Sequence, residues 1–215
     1  VAANPVVWIV LLVVLLMAVI VGAIGAVIGS GGAANSAEDY TYQAQVSEQT
    51  ESYRDMVVDY CEKYGIDDYV DLCLAVIEQE SGGNPPDVMQ TEQSYYNVNP
   101  PIDTAEESID CGTHELSDCL TKAKSKSPND IKGISLALQG YNFGNGYIDW
   151  ALKNYGCYSK ENAEIFSQKM CVELGYDSYG DVEYVPHVLR YYIANPETTV
   201  TNESANSILK ELKEN

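Results

Sequence analysis

The segment Val70–Ile77, VDLCLAVI, carries apolar side chains on almost every side of a helix. A helix without a polar face has to be enclosed by other elements, so this segment is predicted to be the central buried helix of its domain. Asp67 or Asp68 is placed to cap its start. Its end is marked by Ser81-Gly82-Gly83-Asn84-Pro85-Pro86, a cluster that few helices survive.

The rest of the chain supplies helices to surround it. Met56, Val57, Tyr60, Cys61 and Tyr64 fall on one face at helical spacing, and Gly65 closes that helix. Residues 84–103, with four prolines, read as loop. Further helices are expected near 105–109, 114–124, 129–139, 145–154, 160–174 and 182–194, with Ser159 or Lys160 opening the fifth and Asn129 the third. No convincing two-residue alternation is present. The expected class is therefore all-α dominated.

Outside this region lies Val6–Ile28, an unbroken apolar run of 23 residues. As a helix it spans about 34 Å, enough to cross a hydrocarbon core of about 30 Å. It is also longer than the apolar part of a secretory signal. A single N-terminal transmembrane anchor over 1–29 is expected, followed by a flexible acidic tether at 30–52, the main folded domain at 53–194 and a tail or linker at 195–215. The tether holds no Lys or Arg, which suits an exterior side.

The formal net charge of −20 opposes binding to nucleic acid, and no basic patch offsets it. It also offers no attraction to an anionic surface, so an anchor has to hold the domain near any such partner. Six cysteines, at 61, 73, 111, 119, 157 and 171, all follow the apolar run. An even count there suits disulfides in an oxidising exterior, with the pairing open and buried free thiols as the alternative. Cys111 and Cys119 could not bond from one straight helix, because eight residues span about 12 Å. The cysteine and histidine spacings form no zinc pattern, and no metal or cofactor is called for.

Four segments can carry chemistry. In Glu78-Gln79-Glu80-Ser81-Gly82-Gly83-Asn84, Glu80 ends the buried helix. Apolar walls and the negative end of the helix dipole both favour its neutral form, as a general acid requires. The glycines after it admit a polymer close to the backbone. An ordinary glycine-capped helix end would read the same way. Glu78, two residues earlier, points elsewhere and is expected to be solvated or structural. Asp87-Val88-Met89-Gln90-Thr91 follows a double proline as a short polar loop, or a simple Asx turn. Leu138-Gln139-Gly140-Tyr141-Asn142-Phe143-Gly144-Asn145-Gly146-Tyr147-Ile148 puts an amide and aromatics around a glycine turn, suited to sugars or to core packing. Tyr184-Val185-Pro186-His187-Val188-Leu189-Arg190 opens a helix with proline in its first turn, and His187 there is expected to be structural or peripheral.

In this order, ESGG, DVMQ, QGYNFGNGYIDWA and YGDVEYVPHVLRYY resemble the lysozyme-like domain of CwlT-type wall hydrolases from Gram-positive conjugative elements. That domain is similar to goose-type lysozymes and soluble lytic transglycosylases. The resemblance spans about Tyr53 to Tyr192 and implies a lysozyme-like helical fold. It implies Glu80 as the catalytic acid, Asp87 as an acidic active-site residue, and Gln90, Tyr141 and Asn142 in a glycan groove, with Tyr184 near the acid. Ser81, Thr91, Gly144 and Tyr147 complete the expected substrate-binding set. The resemblance departs at Thr91-Glu92-Gln93-Ser94, where the family pattern reads serine-serine-glutamate-serine.

The implied activity is cleavage of peptidoglycan between N-acetylmuramic acid and N-acetylglucosamine. Water as nucleophile makes a muramidase, with Asp87 a candidate base; the muramoyl C6 hydroxyl makes a lytic transglycosylase. A non-catalytic wall-binding scaffold of a secretion channel is the rival from another class. Expected partners are peptidoglycan, the cell membrane through residues 6–28, and conjugative or type IV secretion channel proteins, with the domain on the extracellular side.

Overall fold

The computed structural model describes residues 41–98 and 100–195. The expected anchor at 6–28, the first part of the tether and the tail beyond Asn195 lie outside them. Among the described residues no helix is long and apolar enough to cross a membrane.

The elements run β1 (Thr41–Ala44), α1 (Glu48–Glu51), α2 (Arg54–Tyr64), α3 (Val70–Ser81), α4 (Ala105–Ala123), α5 (Ile131–Phe143), α6 (Gly146–Asn154), α7 (Lys160–Leu174), α8 (Tyr184–Leu189) and β2 (Tyr192–Asn195). The helix-dominated class is as expected. So is the central role of α3: Leu72, Cys73, Leu74, Ala75, Val76 and Ile77 are each 0% exposed. It is enclosed by α2, α8 and the small sheet. The second helix buried nearly all round is α5, which packs on α4 and α6, and α8 touches both α3 and α5.

Local chemistry sets most boundaries. Gly65 ends α2 in the left-handed region (φ 68°), as its position predicts. Ser159 caps α7, its hydroxyl accepting from Asn162 N. Asp67 and Asp68, expected to cap α3, instead form a 3-10 turn, Asp67–Tyr69, that leads into it without a side-chain cap. Asp130 rather than Asn129 caps α5, its side chain accepting from Gly133 N.

Two helices expected near 105–109 and 114–124 are one, α4, opened by a Thr104–Glu107 capping box. The intervening Gly112 does not break it. A methyl group there would fall within 2.6–2.9 Å of the Met89 side chain, so the glycine serves close approach of the 84–103 loop. The helix expected over 182–194 is shorter, because the chain turns extended after Tyr191 and forms β2. Strands β1 and β2 pair antiparallel, Thr41 opposite Asn195 and Ala44 opposite Tyr192, and the rings of Tyr42 and Tyr192 stack with centroids 5.0 Å apart. Thr41–Ala44 alternates exposed and half-buried residues, but four residues are too few to mark a strand from sequence.

The expectation of a flexible tether through residue 52 fails for residues 41–52. Asp71 Oδ1 accepts from Ala44 N (3.1 Å) and from Arg54 Nη2 (3.0 Å). Glu78 Oε2 accepts from Thr50 Oγ1 (2.5 Å), Ser47 Oγ (2.8 Å) and Ser47 N (3.1 Å). Both carboxylates lie on α3, so the segment is strapped to the central helix.

The expected disulfides are likewise absent, because all six cysteines are free. Cys111 and Cys119 share α4, and Cys61 and Cys73 place their sulfurs 3.5 Å apart without a bond.

Two outcomes follow from this packing. Leu74→Ala is expected to lower stability by about 2–5 kcal/mol in denaturant unfolding, the range for a leucine truncated in a closed core. Glu78 tests the strap. Burial opposes its charge, but the hydrogen bonds from Thr50 and Ser47 prevail and hold its carboxyl below the usual glutamate value. A group depressed in the folded state stabilises above its unfolded pKa and loses that contribution as pH falls through the folded value. Glu78→Gln is therefore expected to lower the melting temperature at pH 7, and thermal scans at pH 3 should show a smaller gap.

Candidate active site

Glu80 lies in the last turn of α3. The helix stops two residues later at Gly82 (φ 61°), whose N–H donates to Glu78 O, and Gly83 (φ 77°) continues the turn. Ser81 ties this turn to the following loop: its hydroxyl donates to Val88 O (2.8 Å) and accepts from Gly83 N (3.0 Å). The ESGG sequence thus leaves Glu80 at a helix end whose backbone is held on both sides.

The loop from Asn84 to Ser94 forms the adjoining wall. Asp87 organises it. Its Oδ1 accepts from Thr91 N (2.8 Å), Thr91 Oγ1 (3.1 Å) and Ser108 Oγ (2.7 Å), and its Oδ2 from Glu92 N (2.9 Å). Ser108 on α4 also accepts from Met89 N (2.9 Å), and Tyr141 on α5 donates its hydroxyl to Met89 O (2.9 Å). Val88 and Met89 are fully buried beneath. Gln90 takes a positive φ of 53° at the surface, with its amide donating to Asp87 O (2.9 Å).

The third wall comes from the end of α5 and the turn before α8. Gly180 (φ 58°) packs so closely that an added methyl would come within 2.4 Å of the Phe143 ring. Asp181 N then donates to Asn142 Oδ1 (2.7 Å), leaving the Asn142 amide nitrogen without a partner among the described residues. The Asp181 carboxylate meets His187 Nδ1 at 2.7 Å, which gives the histidine its place.

Tyr184 on α8 crosses to α3 and donates its hydroxyl to Glu80 Oε1 at 2.5 Å. Tyr184 is almost fully buried, and its ring stacks on Tyr141 with centroids 6.4 Å apart. Burial pushes the Glu80 carboxyl up to about 7; the Tyr184 hydrogen bond works against the rise, and the charges of Asp87, Asp181 and Glu115 add to it. Burial acts as the sequence suggested, and the surrounding carboxylates could not be placed from it.

These walls enclose an open cleft of about 530 Å³. Of the residues proposed from sequence, Glu80, Asp87, Gln90, Tyr141, Asn142 and Gly144 line it. Tyr184 supports Glu80 from the protein interior. Ser81 and Thr91 are braces rather than lining, and Thr91 is only 1% exposed. Tyr147 is not at the site: it is fully buried, donating to Asn162 Oδ1. The structure adds Glu92, Gln93, Ser94, Glu115, Tyr179 and Gly180 to the lining. Glu115 had no signal, since a glutamate on a helix reads as a surface residue until the helix is placed.

Comparisons with known proteins agree with this geometry. The family described as Lysozyme-like matches residues 47–202. The chain is 36% identical over 146 residues to the bifunctional muramidase/DL-endopeptidase CwlT of Bacillus subtilis (strain 168), covering 68% of this chain and 42% of that one. It is 31% identical over 120 residues to a pneumococcal vaccine antigen A homolog of Streptococcus pyogenes serotype M6, covering 56% and 58%. The chain thus spans about half the length of these relatives. Among solved structures, a protein of Staphylococcus aureus subsp. aureus Mu50 described as similar to lipoprotein, NLP/P60 family, matches with a TM-score of 0.60 and 30% identity, over 77% of this chain and 60% of that one. The family match over residues 47–202, with a half-buried glutamate ending the central helix in an open cleft, places the chain in the lysozyme-like family.

Proposed function

We propose that this protein is a peptidoglycan glycosidase, a muramidase that cuts between N-acetylmuramic acid and N-acetylglucosamine. The observation that carries the reading is Glu80: a carboxyl in an open cleft, raised to about 7 mainly by burial and aligned by Tyr184. At that value a large share of the groups hold a proton at neutral pH, as a general acid needs. The likeness to CwlT, described as a muramidase, supports the choice of substrate.

In this mechanism Glu80 gives its proton to the glycosidic oxygen while the bond to the muramoyl anomeric carbon breaks. The oxocarbenium-like centre forms beside the carboxylates of the cleft and is quenched by water. Asp87 holds the loop wall, and its charge favours the protonated form of Glu80. The free amide nitrogen of Asn142 is placed to donate to a sugar N-acetyl group, with Gln90 and Tyr179 along the same wall.

The apolar run 6–28 serves in this reading as a membrane anchor with the domain on the wall side. It keeps a chain of net charge −20 near an anionic polymer that does not attract it. Opening the wall locally for a conjugative transfer channel is the task we assign, by analogy with the CwlT-type group.

The full chain is to be assayed for clearing of purified Gram-positive peptidoglycan beside Glu80→Gln. The expected fall is roughly 100-fold or more, with wall binding retained. Equal clearing by the two proteins would remove Glu80 as the acid, and binding without clearing by wild type would favour a scaffold. Muropeptide analysis should find free reducing ends; mostly 1,6-anhydro ends would make the enzyme a lytic transglycosylase. Tyr184→Phe deletes a hydrogen bond that favours the Glu80 carboxylate. Its expected effect is an upward shift of the alkaline limb of the pH–rate profile, because the acid keeps its proton to higher pH.

A further inference from the structure

Hydrolysis needs a group to take a proton from the attacking water, and the four donors on Asp87 leave it little capacity for that work. A carboxylate offers about four lone-pair sites; Oδ1 of Asp87 receives three donors, from Thr91 and Ser108, and Oδ2 receives one from Glu92 N, which leaves open a single site on Oδ2. The cleft holds another carboxyl with no such commitment. Glu115 lies on α4, one turn from Cys111 and one from Cys119, and lines the same cleft as Glu80. Among the described residues it enters no salt bridge, and the polar group that reaches it from outside its helix is the Ser94 hydroxyl.

We propose that Glu115 is the carboxylate that activates the attacking water, an assignment that rests on the glycosidase reading of the cleft. Glu115 takes one proton from water as the water oxygen bonds to the muramoyl anomeric carbon. The carbon–oxygen bond to the leaving sugar breaks, its electron pair goes to the bridging oxygen, and that oxygen receives the proton of Glu80. The products are a hemiacetal and a free 4-hydroxyl. Glu115 is left protonated and Glu80 ionised, and exchange of one proton with solvent resets both.

The electrostatics suit this division. Burial raises the Glu115 carboxyl, the Ser94 hydroxyl opposes the rise, and Asp118 adds to it. Two carboxyls in one cleft resist ionising together, so an ionised Glu115 favours the proton on Glu80. Of the other charged groups, Asp118 on its own helix acts on Glu115, and Asp87 and Glu92 on the loop line the same cleft. Cys111, Cys119 and Tyr141 border it with pKa values raised by burial, so they stay neutral in the working range.

The test compares the full chain as wild type, Glu80→Gln, Glu115→Gln and Glu115→Ala on purified peptidoglycan. Glu115→Gln is expected to clear roughly 100-fold more slowly while still binding wall, and to lose the acid limb of the pH–rate profile. Sodium azide, a nucleophile that needs no base, is expected to restore turnover of Glu115→Ala, with a muramoyl azide found by mass spectrometry. Clearing by Glu115→Gln within threefold of wild type overturns the assignment, as does failure of azide to rescue folded Glu115→Ala. If Glu115→Gln does not fold, the azide arm decides. Equal activity of wild type and Glu80→Gln is a separate result, which removes the glycosidase reading itself.

Discussion

Six consecutive side chains of α3 have no contact with solvent, and that burial is the constraint on which the rest of the fold depends. Each large apolar side chain enclosed this way contributes about 1.5–3 kcal/mol, but only when neighbours close over every side. The neighbours come from distant parts of the chain: α2 just before it, the strap at 41–52, and α8 with β2 near the end of the described residues. Enclosing α3 therefore brings Tyr184 to Glu80 across 104 positions of sequence. The same enclosure strips water from the carboxyl at the helix end and raises its pKa. Stability and the raised pKa of Glu80 thus share one cause.

The cleft is open, yet its walls are held by buried bonds. The loop after α3 contains little regular structure, so its backbone needs partners from elsewhere. Asp87 provides them within the loop, and Ser108 and Tyr141 provide them from α4 and α5. Gly112 lets Met89 sink against α4, and Gly180 lets the turn before α8 press on Phe143. Several residues that sequence alone associates with substrate are thus occupied in holding the loop. Thr91 is the clearest case, with its hydroxyl and its backbone N–H both directed at Asp87.

The distribution of charge fits a lysozyme-like site. Carboxyls of Glu80, Asp87, Glu92 and Glu115 line the cleft, and among the described residues no Lys, Arg or His joins them there. Negative charge around an acid keeps it protonated, and it also steadies a cationic centre forming on a sugar ring. The two effects act in the same direction during glycoside cleavage, which explains why a site for that chemistry can tolerate so acidic a surface.

The local sequence determined much of this. Uniform apolarity marked α3 as the central helix, and glycines and a capping serine marked the ends of α2, α3 and α7. The order of four motifs pointed to Glu80, to the loop around Asp87 and Gln90, to the α5 end at Tyr141 and Asn142, and to Tyr184. Those features are legible because helix period, caps and breakers act over a few residues. Pairings across the chain were not. The strands at either end were too brief to read, residues 105–124 looked like two helices until Gly112 let Met89 lie against one, and Tyr147 looked like a sugar platform until its hydroxyl met Asn162. Glu115 was indistinguishable from a surface glutamate until α4 took its place beside α5. Which side chains face the cleft and which stay inside is set by how helices pack, and packing depends on contacts between residues far apart in sequence.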